Sequence, residues 1–333
     1  MNNREIAFMK IFVSLLEQNY DIYHILELCS SLHYTKECQS LSNSLKNGDD
    51  LAQALLQYDF SATFKEYFYF FKNSFSVSEA LTKTIQICEK KNSIKKKLAQ
   101  KLTYPLCLLV FLFLFSIFII TFLLPQVEIL FADFQIEKSW LITGIFIMLH
   151  LIPILIFLSF FIVAFTLVYV YLCIKKINFK AIDMLIERIP FLGKLIQKYY
   201  SLKFAIYYDE LLKNNYDATT IIEILYEHIH DSDIKMIIYE LHHYIIEGKS
   251  LEKAIEQFSY FEADFKTFYL MMNESHEEKS LQDYIHIVYM QIDHVIATII
   301  RIAVPFIYGF VAIFVVSVYL SIIIPMMNSV SNL

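Results

Sequence analysis

The sequence is short of chain breakers, with 5 Gly and 6 Pro in 333 residues, too few for the turns of a many-stranded sheet. It is short of charge as well: 19% of it is Asp, Glu, Lys or Arg, against about 25% in soluble proteins. The hydrophobic share of 57% exceeds the ~45–50% that a water-facing fold accommodates. Cys29, Cys38, Cys88, Cys107 and Cys173 have no CxxC spacing, and their odd count excludes a complete disulfide framework. They read as reduced packing residues. With a net charge of −6 there is no basic footprint for nucleic acid, and no direct nucleic-acid binding is expected.

Catalytic and metal-binding patterns are also missing. Gly248-Lys249-Ser250 imitates the end of a phosphate-binding loop, but His243 stands where that motif needs its first glycine and no strand precedes it. His228 and His230, and likewise His242 and His243, lack the i, i+4 spacing of paired ligands. His276-Glu277 begins a zinc-protease pattern, yet Ser280 replaces the second histidine. Asp21 and Asp217 fit helix caps better than a divalent-cation site. The expectation is a non-enzyme with no cofactor and no metal.

What is present fills long helices: Leu, Ile, Lys, Glu, Tyr and Phe abound, which points to an all-α chain. The uncharged stretch Leu102–Leu124 makes a helix of about 35 Å, enough to cross a ~30 Å hydrocarbon core. Two further uncharged stretches, Leu141–Ile174 and Ile302–Leu333, supply a second and a third span. The expected order is a cytosolic helical module at 1–101, a span at 102–124 and an external loop with an interfacial segment at 125–151. A second span at 152–174, a second cytosolic module at 175–301, a third span at 302–326 and a short external tail at 327–333 follow.

Orientation comes from the lysines. Lys90, Lys91, Lys95, Lys96, Lys97 and Lys101 precede the first span, and Lys175, Lys176 and Lys180 follow the second, whereas the loop between them carries Glu128, Asp133 and Glu137 against Lys138. The positive-inside rule then places both modules and the N-terminus in the cytosol, and the C-terminus outside the cytoplasmic membrane. The N-terminal MNNREIAFMK has no apolar core of a secretory signal peptide, in keeping with that placement. A solute transporter is the alternative for such a chain, but the spans hold no Asp, Glu, Lys or Arg and only His150 near an edge.

Self-comparison finds one module written twice. LEQNYDIYHILEL from Leu16 matches LKNNYDATTIIEI from Leu212, pairing Asn19 with Asn215, Asp21 with Asp217 and Glu27 with Glu223. After a gain of four residues the register continues through Gly48 with Gly248, Leu51 with Leu251 and Leu81 with Leu281. It runs into the apolar stretches, where Pro105 pairs with Pro305 and Pro125 with Pro325. The Asn-Tyr-Asp elements predict breaks between helices, and the two glycines predict helix ends with positive φ.

These residues resemble a known family, the inner-membrane platform proteins of type II secretion and type IV pilus systems. Its marks here are Tyr104-Pro105 with Pro125, echoed by Val304-Pro305 with Pro325, and Glu274-Ser275 within NESHEEKSL, where the first copy has Asn73 in NSFSVSEAL. The resemblance runs from about Ile6 to Met327, and the short N-terminus points to the competence-type branch. It implies a platform for assembly of a pilus-like fibre, coupling a cytosolic hexameric ATPase to insertion of major and minor prepilins, in a homo-oligomer held in the lipid bilayer. Pro105, Pro125, Pro305 and Pro325 would shape the span ends beside Tyr104, Gly48 and Gly248 the modules, and Glu274 a partner contact.

Overall fold

The computed structural model describes residues 1–133, 140–175, 179–229, 233–274 and 280–331. Among them the chain is all helical. The first copy comprises α1 (Asn3–Glu17), α2 (Ile22–Ser31), α3 (Thr35–Lys46), α4 (Leu51–Gln57), α5 (Ala62–Phe71) and the long α6 (Val77–Phe118). A π turn at Ile119–Leu123 leads into α7 (Leu124–Asp133), followed by α8 (Trp140–Lys175) and α9 (Phe179–Arg188). The second copy repeats the order as α10 (Pro190–Leu212), α11 (Ala218–His228), α12 (Lys235–Ile246), α13 (Leu251–Gln257), α14 (Ala263–Glu274) and α15 (Gln282–Ser331).

Local chemistry sets the helix boundaries. Asn2 and Glu5 form a reciprocal capping box that opens α1: the Glu5 amide donates to Asn2 Oδ1 at 2.7 Å, and the Asn2 amide to Glu5 Oε2 at 3.0 Å. Asp21 caps α2 by accepting from the amide of Tyr23 at 3.0 Å, and Asp217 caps α11 by accepting from that of Thr220 at 3.5 Å. Asn19 and Asn215 end the preceding helices at φ of 59° and 60°. Gly48 (φ 93°) and Gly248 (φ 76°) close α3 and α12 with the same pair of bonds. Gly48 N–H reaches Leu45 O at 3.1 Å and Asp49 N–H reaches Ser44 O at 3.2 Å; in the second copy Gly248 reaches Ile245 at 2.9 Å and Lys249 reaches Tyr244 at 3.1 Å. A left-handed residue that lets two amides fold back on the last turn is what a glycine at this position permits.

The chain divides into two compact units, one of Met1–Lys96 with Ile177–Gln291 and one of Lys97–Lys176 with Ile292–Leu333. In the first, each copy buries an aromatic-rich core, with Phe8, Phe12, Phe64 and Phe68 in one and Phe204, Tyr208, Phe265 and Tyr269 in the other. Gly193 lets α10 lie against α9, since a Cβ there would stand 2.8 Å from the Ile186 backbone.

In the second unit Leu112, Ile119, Val127, Phe131, Ile142, Phe146, Leu149 and Phe314 form the core. Around it Val110, Phe111, Leu114, Phe118 and Phe122, and on α15 Ile313, Val316 and Tyr319, stand exposed. Such a continuous apolar surface is suited to lipid. The hydroxyls of Ser116 and Ser317 bond back to the carbonyls of Leu112 and Ile313 at 2.7 Å, which satisfies both within their own helices.

One expectation is corrected here. Two helices among the described residues, not three, are long and apolar enough to cross a membrane: Val77–Ile129 and Gln282–Ile324. The expected second span at 152–174 falls in α8, of which Ile142–Leu155 is the apolar helix found among the described residues. That is about 21 Å of helix, short of a ~30 Å core, and many side chains further along α8 lie outside the described residues.

Candidate functional site

The two copies meet within the first unit along α5, α6 and α10. Tyr207 on α10 enters an aromatic nest of the first copy, stacking on Tyr67 with ring centroids 4.9 Å apart and meeting Phe70 edge-on at 4.7 Å. One turn away Lys203, almost fully buried, bridges the copies: its ammonium lies 2.6 Å from Glu66 Oε1 and pairs also with Asp233. The Tyr207 hydroxyl donates to Glu66 at 3.3 Å and the Tyr199 hydroxyl donates to Asp233. Burial, then Tyr67 and Glu66 beside Tyr207 and Asp233 beside Tyr199, push both phenols far above their ordinary range, so they remain donors at any physiological pH. Lys83 pairs with Glu210 further along the seam.

A second junction fixes the start of α15. Asp209, with no exposed surface, accepts from Leu281 N–H at 2.7 Å and Ser280 Oγ at 2.9 Å, and its other oxygen lies 2.9 Å from Lys213 Nζ. A buried carboxylate at a helix N-terminus satisfies orphan amides and faces the positive end of the dipole. The first copy has Val13 at the matching position and caps α6 locally, Ser76 Oγ accepting from Glu79 N–H at 3.3 Å.

The long helices α6 and α15 run side by side. In the first unit Lys90 Nζ sits over the Tyr289 ring at 4.9 Å. In the second, Lys97 pairs with Asp293 at 2.6 Å, and the hydroxyls of Tyr104 and Tyr308 meet at 2.7 Å. At 42 and 50 residues these helices extend about 63 and 75 Å. Each is an unbroken link from a helical repeat to an apolar segment.

The residues expected from the sequence are spread along this frame. Tyr104 and Pro105 lie within α6, Pro105 buried and Tyr104 exposed to its partner Tyr308. Pro125 follows the π turn, whose Leu124 N–H reaches back five residues to Ile119 O. Proline has no N–H for the Thr121 carbonyl and crowds it, and the wider turn relieves both. Pro305 and Pro325 lie within α15, the former exposed; the side chain of Pro325 is outside the described residues. Gly48 and Gly248 are exposed helix ends, and Glu274 is the exposed last residue of α14. Among the described residues the structure joins Tyr104 to Tyr308 by a hydrogen bond.

Sequence reasoning missed Lys203, Glu66, Asp233, Tyr207 and Asp209. A lysine inside the apolar periodicity of α10 was the available signal, because a buried cation requires carboxylate partners. Asp217 reads as a cap in the structure too: hydroxyls of Thr219 and then Thr220 hold its carboxyl down at about 2.

Comparison with known proteins fits this duplicated frame. The profile described as Type II secretion system (T2SS), protein F matches the chain twice, at residues 8–125 and 208–325. ComG operon protein 2 of Bacillus subtilis (strain 168) is 23% identical over 337 aligned residues, which cover 100% of this chain and 94% of that protein.

Proposed function

Because the chain belongs to the family of type II secretion system protein F, we propose that it is the membrane platform on which a pilus-like fibre grows, coupling a cytosolic hexameric ATPase to prepilins in the bilayer. Membership assigns it a role in assembly of a pilus or secretion system, and it is not an enzyme, since the family consists of non-catalytic platform proteins. The observation that carries the mechanism is that each repeat continues through one uninterrupted helix into an apolar segment.

A pilin's apolar helix leaves the bilayer only at a cost of many kcal/mol. A protein surface beside it lowers that barrier while ATPase motion supplies work, and α6 and α15 are the elements that would carry the motion. In this reading Met1–Lys96 and Ile177–Gln291 face the cytosol, and α6 and α15 hold the chain in the cytoplasmic membrane. The full-length similarity to ComG operon protein 2 supports the competence-type branch and its pseudopilus as the fibre.

The test is deletion and complementation beside reconstitution. Loss of surface fibres on deletion, co-purification with a secretion ATPase and prepilins, and no solute flux in liposomes are expected. Normal fibres in the deletion strain, with no ATPase bound, would end the proposal.

A further inference from the structure

The two repeats share a backbone plan, so positions that differ in chemistry while holding the same place in the helices mark what the second repeat does beyond folding. The outer faces of the second and third helices differ most. In the first copy they present Ser30 on α2 and Gln39, Ser42 and Lys46 on α3. The same places in the second copy hold Tyr226 on α11 and Tyr239, His242 and Ile246 on α12.

These side chains form a built surface. The His242 ring stacks on Tyr226 at 4.1 Å with an 8° interplanar angle, and Tyr239 lies 6.2 Å from Tyr226. Even so, Tyr226, Tyr239 and Ile246 remain 40%, 51% and 69% exposed. Glu223 and Glu227 flank Tyr226 on its own helix, Glu240 lies on α12, and Glu247 just past its end pairs with Lys249 at 2.7 Å; the first copy has Glu27, Ser31, Ser40 and Asn47 at these places. The wider balance agrees, since residues 177–291 hold 19 Asp and Glu against 11 Lys and Arg, whereas residues 1–96 hold 11 of each. Burial, then Asp183 of α9, raises the Glu240 carboxyl from its ordinary range.

We infer that this face of α11 and α12 is the docking surface for the cytosolic ATPase, taking a basic, partly apolar patch of it. The step rests on the platform reading and adds which repeat and which face make the contact. Pre-stacked aromatic rings lose little freedom on binding and act as anchors, and a carboxylate rim steers and aligns a cationic partner. Both an anionic lipid surface and an acidic protein would be repelled by it.

The first repeat supplies the test, because it folds with the polar set already in place. A variant carrying Y226S, Y239Q, H242S and I246K gives the second repeat the first repeat's surface without touching its core. Full-length chain in nanodiscs would be titrated with the purified hexameric ATPase of the same assembly system at several salt concentrations. The swapped variant should bind at least about 30-fold more weakly, and E223Q with E227Q should flatten the salt dependence. Wild-type chain that binds no ATPase would sink the platform reading itself. If wild-type chain binds and the swapped variant binds equally well, this docking surface is overturned and the platform reading stands. A swap that changes self-association while ATPase binding holds would also overturn it, by assigning the face to a second copy.

Discussion

Replacing Lys203 with methionine tests whether the repeats are locked together by charge. The ammonium side chain is 7% exposed and holds Glu66 of the first repeat and Asp233 of the second. Methionine keeps the volume and the stem contacts but takes the ammonium away from the two carboxylates. Breaking a buried pair in this way costs about 3–5 kcal/mol, or roughly 100- to 5000-fold in the equilibrium for opening the seam at 1.4 kcal/mol per decade. The cost should change little with salt, because buried pairs are poorly screened. Hydrogen exchange on the full-length chain in nanodiscs reads it directly, as lost protection of amides in α5 and α10. Adding E66Q and D233N to K203M should recover most of the protection, since neutral amides tolerate one another where carboxylates do not. As a control, K36M at an exposed site should stay within about 0.5 kcal/mol. Unchanged protection in K203M, or no recovery in the triple variant, would refute a seam held by this cluster.

Tyr207→Ala should open a cavity in the aromatic nest and cost about 3–5 kcal/mol, measured by the same exchange experiment, with Tyr207→Phe nearly neutral. Gly193→Ala should destabilise the α9–α10 contact by about 1–3 kcal/mol, because a Cβ would meet the Ile186 backbone at 2.8 Å; thermal unfolding of the variant checks it. Gly248→Ala has open space around its Cβ and should lose only about 1–2 kcal/mol, from the positive φ alone, with Gly248→Asn losing less. For Asp217 the folded carboxyl titrates below its unfolded value, so the cap contributes above about pH 4 and is lost as pH falls through about 2. An NMR titration should find that midpoint, and replacing Thr219 and Thr220 with valine should move it upward.

The features legible in the sequence are those that local chemistry decides. Asn19 with Asn215 and Gly48 with Gly248 announce themselves because Gly, and after it Asn, takes the left-handed conformation most readily. The caps at Asp21 and Asp217 need only the next three residues. Repetition then doubles each weak signal. What self-comparison cannot supply is the difference between the copies. Phe70 and Met271 occupy matching places on α5 and α14, yet Phe70 is 1% exposed and Met271 61%, because Tyr207 and its neighbours cover the first and not the second. The same asymmetry hid Lys203, whose partners are distant in the chain, and Asp209, whose partners Ser280 and Leu281 stand just before a helix some seventy residues on. The span count is corrected in α8, where Ile142–Leu155 is the apolar helix found among the described residues. Two repeats of one plan need only diverge on their surfaces to acquire separate partners. The residues worth testing first are therefore the mismatched pairs, Ser30 with Tyr226 and Gln39 with Tyr239, where folding makes no demand and the chemistry has nevertheless changed.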